Sequence, residues 1–204
     1  TIEGNLFGTD AAGRVGLGNG GSGGGFAINV TASGPFNARD LRIGGPHADA
    51  RNVFADGALP AIRLSCGTNG QPLCLDGLLV QGNYLGTDAS GSQPLPNNRL
   101  CPAAGCAGAR AGGVLVEGDS IGRLTIGGTQ PGAGNRIAFN AGAAVGWTVS
   151  SASVVDGALE VIGNTMHDNG AAGIELTRLN VAATNDAGDV DEGPNRLQNA
   201  PLLE

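Results

Sequence analysis

The residues best equipped for chemistry stand close together near the C-terminal end of the chain: His167, Asp168, Glu175 and Arg178. A histidine, two acids and a guanidinium are the ingredients of acid–base work on a polar substrate. A two-carboxylate mechanism needs both acids facing one cleft at a defined separation. The competing reading is structural. His167-Asp168 falls at a corner of the chain, where Asp makes turn hydrogen bonds. His47 and Asp49 lie in a Gly/Pro/Ala segment and are expected to face solvent. Residues 18–23, GNGGSG, satisfy G-x-G-x-x-G. Strand residues Phe26 to Val30 follow them, not a helix, so the segment reads as a loop and not as a nucleotide site. The formal glycosylation sequon Asn29-Val30-Thr31 lies inside the same predicted strand.

Two further groups could hold something. Asp186, Asp189 and Asp191 alternate with other residues in NDAGDVDEG. Acids at such spacing in an irregular segment can supply oxygen ligands to calcium, although the spacing is not that of an EF-hand. The alternative is a solvated acidic turn. Calcium is the one cofactor the sequence offers, and none is required. Cys66 and Cys74 bracket one short loop and Cys101 and Cys106 another, which reads as two local disulfides. A zinc site would need tighter pairs and four convergent ligands. Disulfides place the protein in an oxidising compartment, outside the cell or at its surface.

These residues must be positioned by strands. In LEVIGNTMHDNGAAGIEL (159–176), apolar or corner residues pair at period two as Leu159/Val161, Asn164/Met166 and Ile174/Leu176, with Gly, Asn and Asp between them. Period two means strand, and Gly-Asn punctuation means tight turns. Three such strands and their corners describe one coil of a parallel β-helix. The pattern recurs. First strands carry Leu41/Ile43, Leu78/Val80, Leu124/Ile126 and Leu159/Val161, with Ile2 at the end of a truncated one. Second strands open on Asn5, Asn52, Asn83, Asn135 and Asn164, each followed two residues later by an apolar side chain. Third strands carry Phe26/Ile28, Ile62/Leu64, Val114/Val116, Val145/Trp147 and Ile174/Leu176. The predicted fold is all-β, a right-handed parallel β-helix of about five three-strand coils with long inserted loops, over residues 1–184. Residues 185–204 form an irregular segment closing or leaving the helix. Parallel crossovers are right-handed in nearly all proteins, which sets the expected hand. The five asparagines are expected to stack as a hydrogen-bonded ladder.

A longer period overlies the first. IEGNLFGTDAAG (2–13) matches VQGNYLGTDASG (80–91), and LRIGGPHADARNVF (41–54) matches LTIGGTQPGAGNRI (124–137). Outward positions of the second strands are Leu6, Val53, Tyr84, Arg136 and Thr165, since side chains alternate along a strand. Loops 8–24 and 86–112 leave from the same edge. They either frame this stripe as a contact site, with Tyr84 and Arg136 as ligand-binding candidates, or fold back and cover it.

The phrases IGGTxPGAGNxI, GNxxGTDxxG and GIxL resemble the right-handed β-helix repeats of large secreted bacterial proteins in the pectin-lyase-like superfamily. The closing segment 185–203 is similar to the phrase that ends such regions before an immunoglobulin-like module. The resemblance implies a secreted repeat region flanked by other domains of a longer parent chain. It implies an enzyme less strongly. The galacturonase set of NTD, DD and GHG is reduced here to GTD at 8–10 and 86–88, and the pectate lyase Trp-x-Asp-His is absent.

Composition bounds the rest. Among 204 residues there are 38 glycines, 41% hydrophobic residues and a net charge of −7. Basic residues are all arginine. An acidic chain lacks the footprint for nucleic acid, and no apolar run is long enough to insert in a membrane. The expected function is a non-catalytic extracellular or cell-surface module, adhesive or in contact with polysaccharide or a cell-surface glycan. A polysaccharide lyase or glycoside hydrolase is the first alternative, and a structural spacer the second.

Overall fold

The computed structural model describes residues 1–19, 25–32, 38–67, 74–100, 111–149, 156–178 and 181–182; for 156, 178, 181 and 182 only the backbone is described. Its strands, in chain order, are β1 (Leu6–Phe7), β2 (Ile28–Ala32), β3 (Ala38–Arg39), β4 (Arg42–Gly44), β5 (Val53–Phe54), β6 (Ile62–Cys66), β7 (Leu75–Asp76), β8 (Leu78–Gln81) and β9 (Tyr84–Leu85). They continue as β10 (Ala111–Glu117), β11 (Ser120–Gly127), β12 (Arg136–Ala138), β13 (Ala143–Val149), β14 (Asp156–Ile162), β15 (Thr165–His167), β16 (Ile174–Arg178) and β17 (Val181–Ala182). The described residues contain no α-helix, only a single 3-10 turn at Ala48–Ala50. None of their helices is long and apolar enough to cross a membrane.

Three larger sheets carry the fold. Their orders are β4-β8-β11-β14, β1-β5-β9-β12-β15 and β2-β6-β10-β13-β16-β17. From β4 onward the chain visits them in a fixed rotation, adding one strand to each per round. All neighbours are parallel except β16 and β17. A parallel neighbour must be reached by a crossover, and the other two strands of each round supply it.

Period-two apolar residues turn one face of every sheet inward. Register stacks like on like: Leu78 on Leu124 on Leu159, and Phe54 on Leu85 on Ile137 on Met166. Phe7 lies flat on Phe54 with ring centroids 4.8 Å apart. Val114, Val145, Val116 and Trp147 continue the core in the third sheet, all fully buried. Burial of Trp147 leaves its indole N–H in need of an acceptor, which the Gly118 carbonyl provides at 3.1 Å.

One third-strand pair differs from the sequence expectation. Ile28 and Val30, not Phe26 and Ile28, align with Ile62 and Leu64. Phe26 lies before β2, and its ring meets the Arg63 guanidinium at 5.4 Å. Shifting by two keeps the same face inward, so periodicity cannot distinguish the two registers.

The asparagine ladder forms as expected. Each rung donates its backbone N–H and its Nδ2 to the Oδ1 of the next: Asn5 to Asn52 at 3.0 and 3.0 Å, Asn52 to Asn83 at 3.2 and 2.9 Å, Asn83 to Asn135 at 2.9 and 3.1 Å, and Asn135 to Asn164 at 2.9 and 2.9 Å. The spare Nδ2 hydrogens of Asn52, Asn83, Asn135 and Asn164 go to the carbonyls of Ile2, Ile43, Val80 and Ile126. A side-chain amide is thus used three ways, which is why the corner accepts Asn and not merely a small polar residue.

A second ladder runs through Asn97, Asn140 and Asn169 with the same geometry. The sequence reading missed it. Its signal is an offset of five: Asn140 follows Asn135 and Asn169 follows Asn164 by that step, and in the β9 round an inserted loop delays the rung to Asn97. Gly57 holds the same offset from Asn52; its N–H donates to Asn97 Oδ1 at 3.0 Å, but it has no side-chain amide to accept from the next rung. Asn19, bridged to Gly57, keeps a buried Nδ2 without a partner among the described residues.

Cys66 and Cys74 form a disulfide, Cα to Cα 6.0 Å, joining the end of β6 to the start of β7. Cys101 and Cys106 lie outside the described residues.

Candidate functional site

The outward face of the β1-β5-β9-β12-β15 sheet gathers the stripe residues singled out by sequence and His167. Register places Leu6, Val53, Tyr84, Arg136 and Thr165 side by side. His167 ends β15 opposite Ala138, and Asp168 follows it. Glu175 and Arg178 sit instead on β16, in another sheet. The four-residue cluster expected around His167 is thus divided between two sheets. A corner intervenes between β15 and β16, which seven residues of sequence separation did not reveal.

Two twin loops decide how much of this face is open. In the first, Thr9 and Gly16 bridge antiparallel, and Asp10 Oδ1 accepts the amides of Arg14 at 2.7 Å and Val15 at 3.0 Å. In the second, Thr87 and Pro94 bridge, and Asp88 Oδ1 accepts the amides of Ser92 and Gln93, both at 3.1 Å. The loops stack through Ala89 N–H on the Gly13 carbonyl at 2.7 Å. Together they bury Val53 and half-bury Tyr84, while Leu6 stays 41% exposed. Leu6 approaches Gly13 and Tyr84 approaches Gly91, and Val53 is only 3% exposed. Over β12 and β15 the face remains accessible: Arg136 and His167 are half-buried, Thr165 and Asp168 exposed.

Tyr84 is not a bare platform. The Arg51 guanidinium lies 4.2 Å from its ring centroid and that of Arg136 5.8 Å. Arg51 and Arg136 come from the rounds before and after Tyr84, so the ring is flanked by cations that its π-density attracts. Arg51 Nε donates to the Gly82 carbonyl at 3.2 Å, and Arg136 Nη1 to that of Gly91 at 2.8 Å. Both are half-buried, and neither has a carboxylate partner among the described residues. Arg63, equally half-buried, is paired with Glu117. Arg39 and Arg99 pair with Asp76 and Asp56. Two partly desolvated guanidiniums without counter-ions, in an acidic protein, leave several donors for an oxyanion. Arg51 was not legible as a site residue, because it contacts Tyr84 only through the stacking of successive rounds.

At the far edge His167 Nδ1 and Asp168 Oδ2 are 2.8 Å apart. Among the described residues no cluster of His, Cys, Asp or Glu could hold a metal ion. Asp186, Asp189 and Asp191, the calcium candidates, lie outside them.

The chain matches no family model, no curated protein and no solved structure. Function therefore follows from the site's own chemistry.

The loop aspartates carry a prediction. Asp10 is held below its ordinary carboxylate value by the amides of Val15 and Arg14. For Asp88 burial pushes upward, and the Ser90 hydroxyl with the Gln93 and Ser92 amides outweighs it, so the net shift is downward. A depressed folded value contributes stability above about pH 4 that is lost as pH falls through the lower value. The melting temperature should fall on acidification, and Asp88→Asn should flatten that fall while costing stability at pH 7. Parallel acid limbs for the two proteins, followed by calorimetry, would show that Asp88 is not the coupled group.

Proposed function

We propose that the chain is a right-handed parallel β-helix of five coils, of the pectin-lyase-like kind, serving as a non-catalytic extracellular module that holds acidic polysaccharide on the outward face of its β1-β5-β9-β12-β15 sheet. The observation that carries this is the pair Arg51 and Arg136, half-buried on either side of Tyr84 and without carboxylate partners among the described residues. A uronate or similar oxyanion would take the place of the missing counter-ion. The fixed rotation of the chain through three parallel sheets supports the helix, and the Cys66–Cys74 disulfide supports an oxidising compartment.

The test is retention on immobilised acidic and neutral polysaccharides, with a parallel assay for new reducing or unsaturated ends. Wild type should be retained by acidic polymer without product. Arg51→Gln with Arg136→Gln should weaken retention at least about tenfold, because charged hydrogen bonds are worth roughly 1.5–3 kcal/mol each. Unchanged retention in that double variant would sink the assignment, and product formation would replace it with a lyase or hydrolase.

A further inference from the structure

The corner that ends β12 holds a residue that does not suit it. Asp56, Phe139 and Asp168 occupy equivalent positions, each one residue before the second-ladder level, and all three have left-handed backbone, with φ of 53°, 61° and 52°. In these three rounds the corner takes this conformation with aspartate and with phenylalanine alike. Aspartate tolerates it, whereas a bulky aromatic does so only under strain. Phe139 draws no compensating burial from the interior: its ring is half-buried and stands apart from the hydrophobic core. Its one aromatic neighbour among the described residues is His167, edge to face with centroids 5.3 Å apart. His167 is tied in turn to Asp168, whose side chain is 67% exposed. Strain held at an accessible corner points to a use for the side chain.

We propose that Phe139, His167 and Asp168 form a subsite for a pyranose ring of a bound glycan, separate in its chemistry from the arginine pair. A sugar presents an apolar C–H face and a rim of hydroxyls. The Phe139 ring offers the apolar surface, with a π-face that attracts C–H groups. Asp168 keeps a carboxylate oxygen for a hydroxyl donor, and the second ring nitrogen of His167 serves another hydroxyl. An aromatic side chain with a few convergent polar groups is the ordinary make-up of such a site. Phe139 stands at the corner just after β12, three residues from Arg136 and so within roughly 10 Å at the strand rise, so one chain of linked sugars can reach both. The subsite rests on the glycan reading above, but it is uncharged in its demand and is tested apart from it.

The experiment titrates the 204-residue protein with a neutral hexasaccharide, cellohexaose, and an acidic one, hexagalacturonate, by calorimetry. Three forms are compared: wild type, Phe139→Asn, and the Arg51→Gln/Arg136→Gln variant. Asparagine accepts the left-handed corner, so Phe139→Asn should melt no lower than wild type, and up to about 4 °C higher. Its affinity for whichever hexasaccharide binds should fall about fivefold or more. Binding of cellohexaose that survives loss of both arginines but not loss of Phe139 supports the subsite directly. Binding of hexagalacturonate that is lost with the arginines and unchanged in Phe139→Asn overturns the subsite and leaves the arginine site standing. A Phe139→Asn protein that melts well below wild type overturns it too, since the ring is then structural. Failure of both sugars to bind wild type overturns both.

Discussion

Asn83→Ala is expected to lower the melting temperature by roughly 8–15 °C. Asn83 is fully buried at the centre of the first ladder. Its Oδ1 accepts the backbone N–H and the Nδ2 of Asn52, and its own Nδ2 donates to Asn135 Oδ1 and to the Ile43 carbonyl. Alanine removes all of these side-chain bonds. It leaves two donors of Asn52 without an acceptor, inside a region water does not enter. Each buried unsatisfied group costs about 1–3 kcal/mol, so the total is on the order of 4 kcal/mol, at about 2–4 °C per kcal/mol for a chain of this size. Asn5→Ala is the control. Asn5 is exposed at the end of the ladder, and its backbone N–H still reaches Asn52 Oδ1. Its loss should cost about 3 °C or less. Equal shifts for the two variants would mean that the ladder is not a cooperative element.

Gly82→Ala is the second large effect, with an expected fall of roughly 5–15 °C. The backbone there has φ +66°, and a Cβ would overlap the Gly45 carbonyl oxygen and stand 2.9 Å from that of Gly132. Those oxygens belong to the loops following β4 and β11, which close on Gly82 from the rounds on either side. Neither is the tip of a movable side chain. Left-handed strain contributes about 1–2 kcal/mol and overpacking against backbone about 1–3 kcal/mol more. Gly173→Ala serves as the comparison. The nearest atom to a Cβ at Gly173 is Met166 Sδ at 3.6 Å, an ordinary contact, so stability should be unchanged or slightly higher. Thermal unfolding of the pair separates loss of glycine from loss of this close approach.

Both residues were visible in the sequence as corner types, but the reasons for their importance were not. Asn83 repeats the position of Asn5, Asn52, Asn135 and Asn164, and stacking of like on like follows from any parallel repeat. The second ladder was hidden because the inserted loop 86–96 carries Asn97 away from the offset that Asn140 and Asn169 keep. Phe26 was taken for a strand residue because an apolar residue two before Ile28 satisfies the same alternation. His167, Asp168, Glu175 and Arg178 looked like one constellation because proximity along the chain does not report a corner between sheets. Tyr84 and Arg136 were legible as neighbours, since register follows from the repeat. Arg51 was not, because a long side chain crosses from its own round to the next.

Sequence by itself determined the strands of the three larger sheets up to β16, apart from the shift of two at β2, with their inward faces and the rung asparagines of the first ladder, because side-chain alternation and corner chemistry are local properties that recur with each round; β3, β7 and β17 it did not show. It determined the acidic balance and the local pairing of Cys66 with Cys74 for the same reason. Only the tertiary structure decided which residues share a surface. Stacking brings Arg51 over Tyr84 from another round and lays the two loops on each other beside Val53 and Tyr84. It also puts Phe139 against His167 at a corner with left-handed backbone. The contacts of Arg51 with Tyr84 and of Phe139 with His167 join residues of different rounds, and nothing in a local pattern of residue types encodes them.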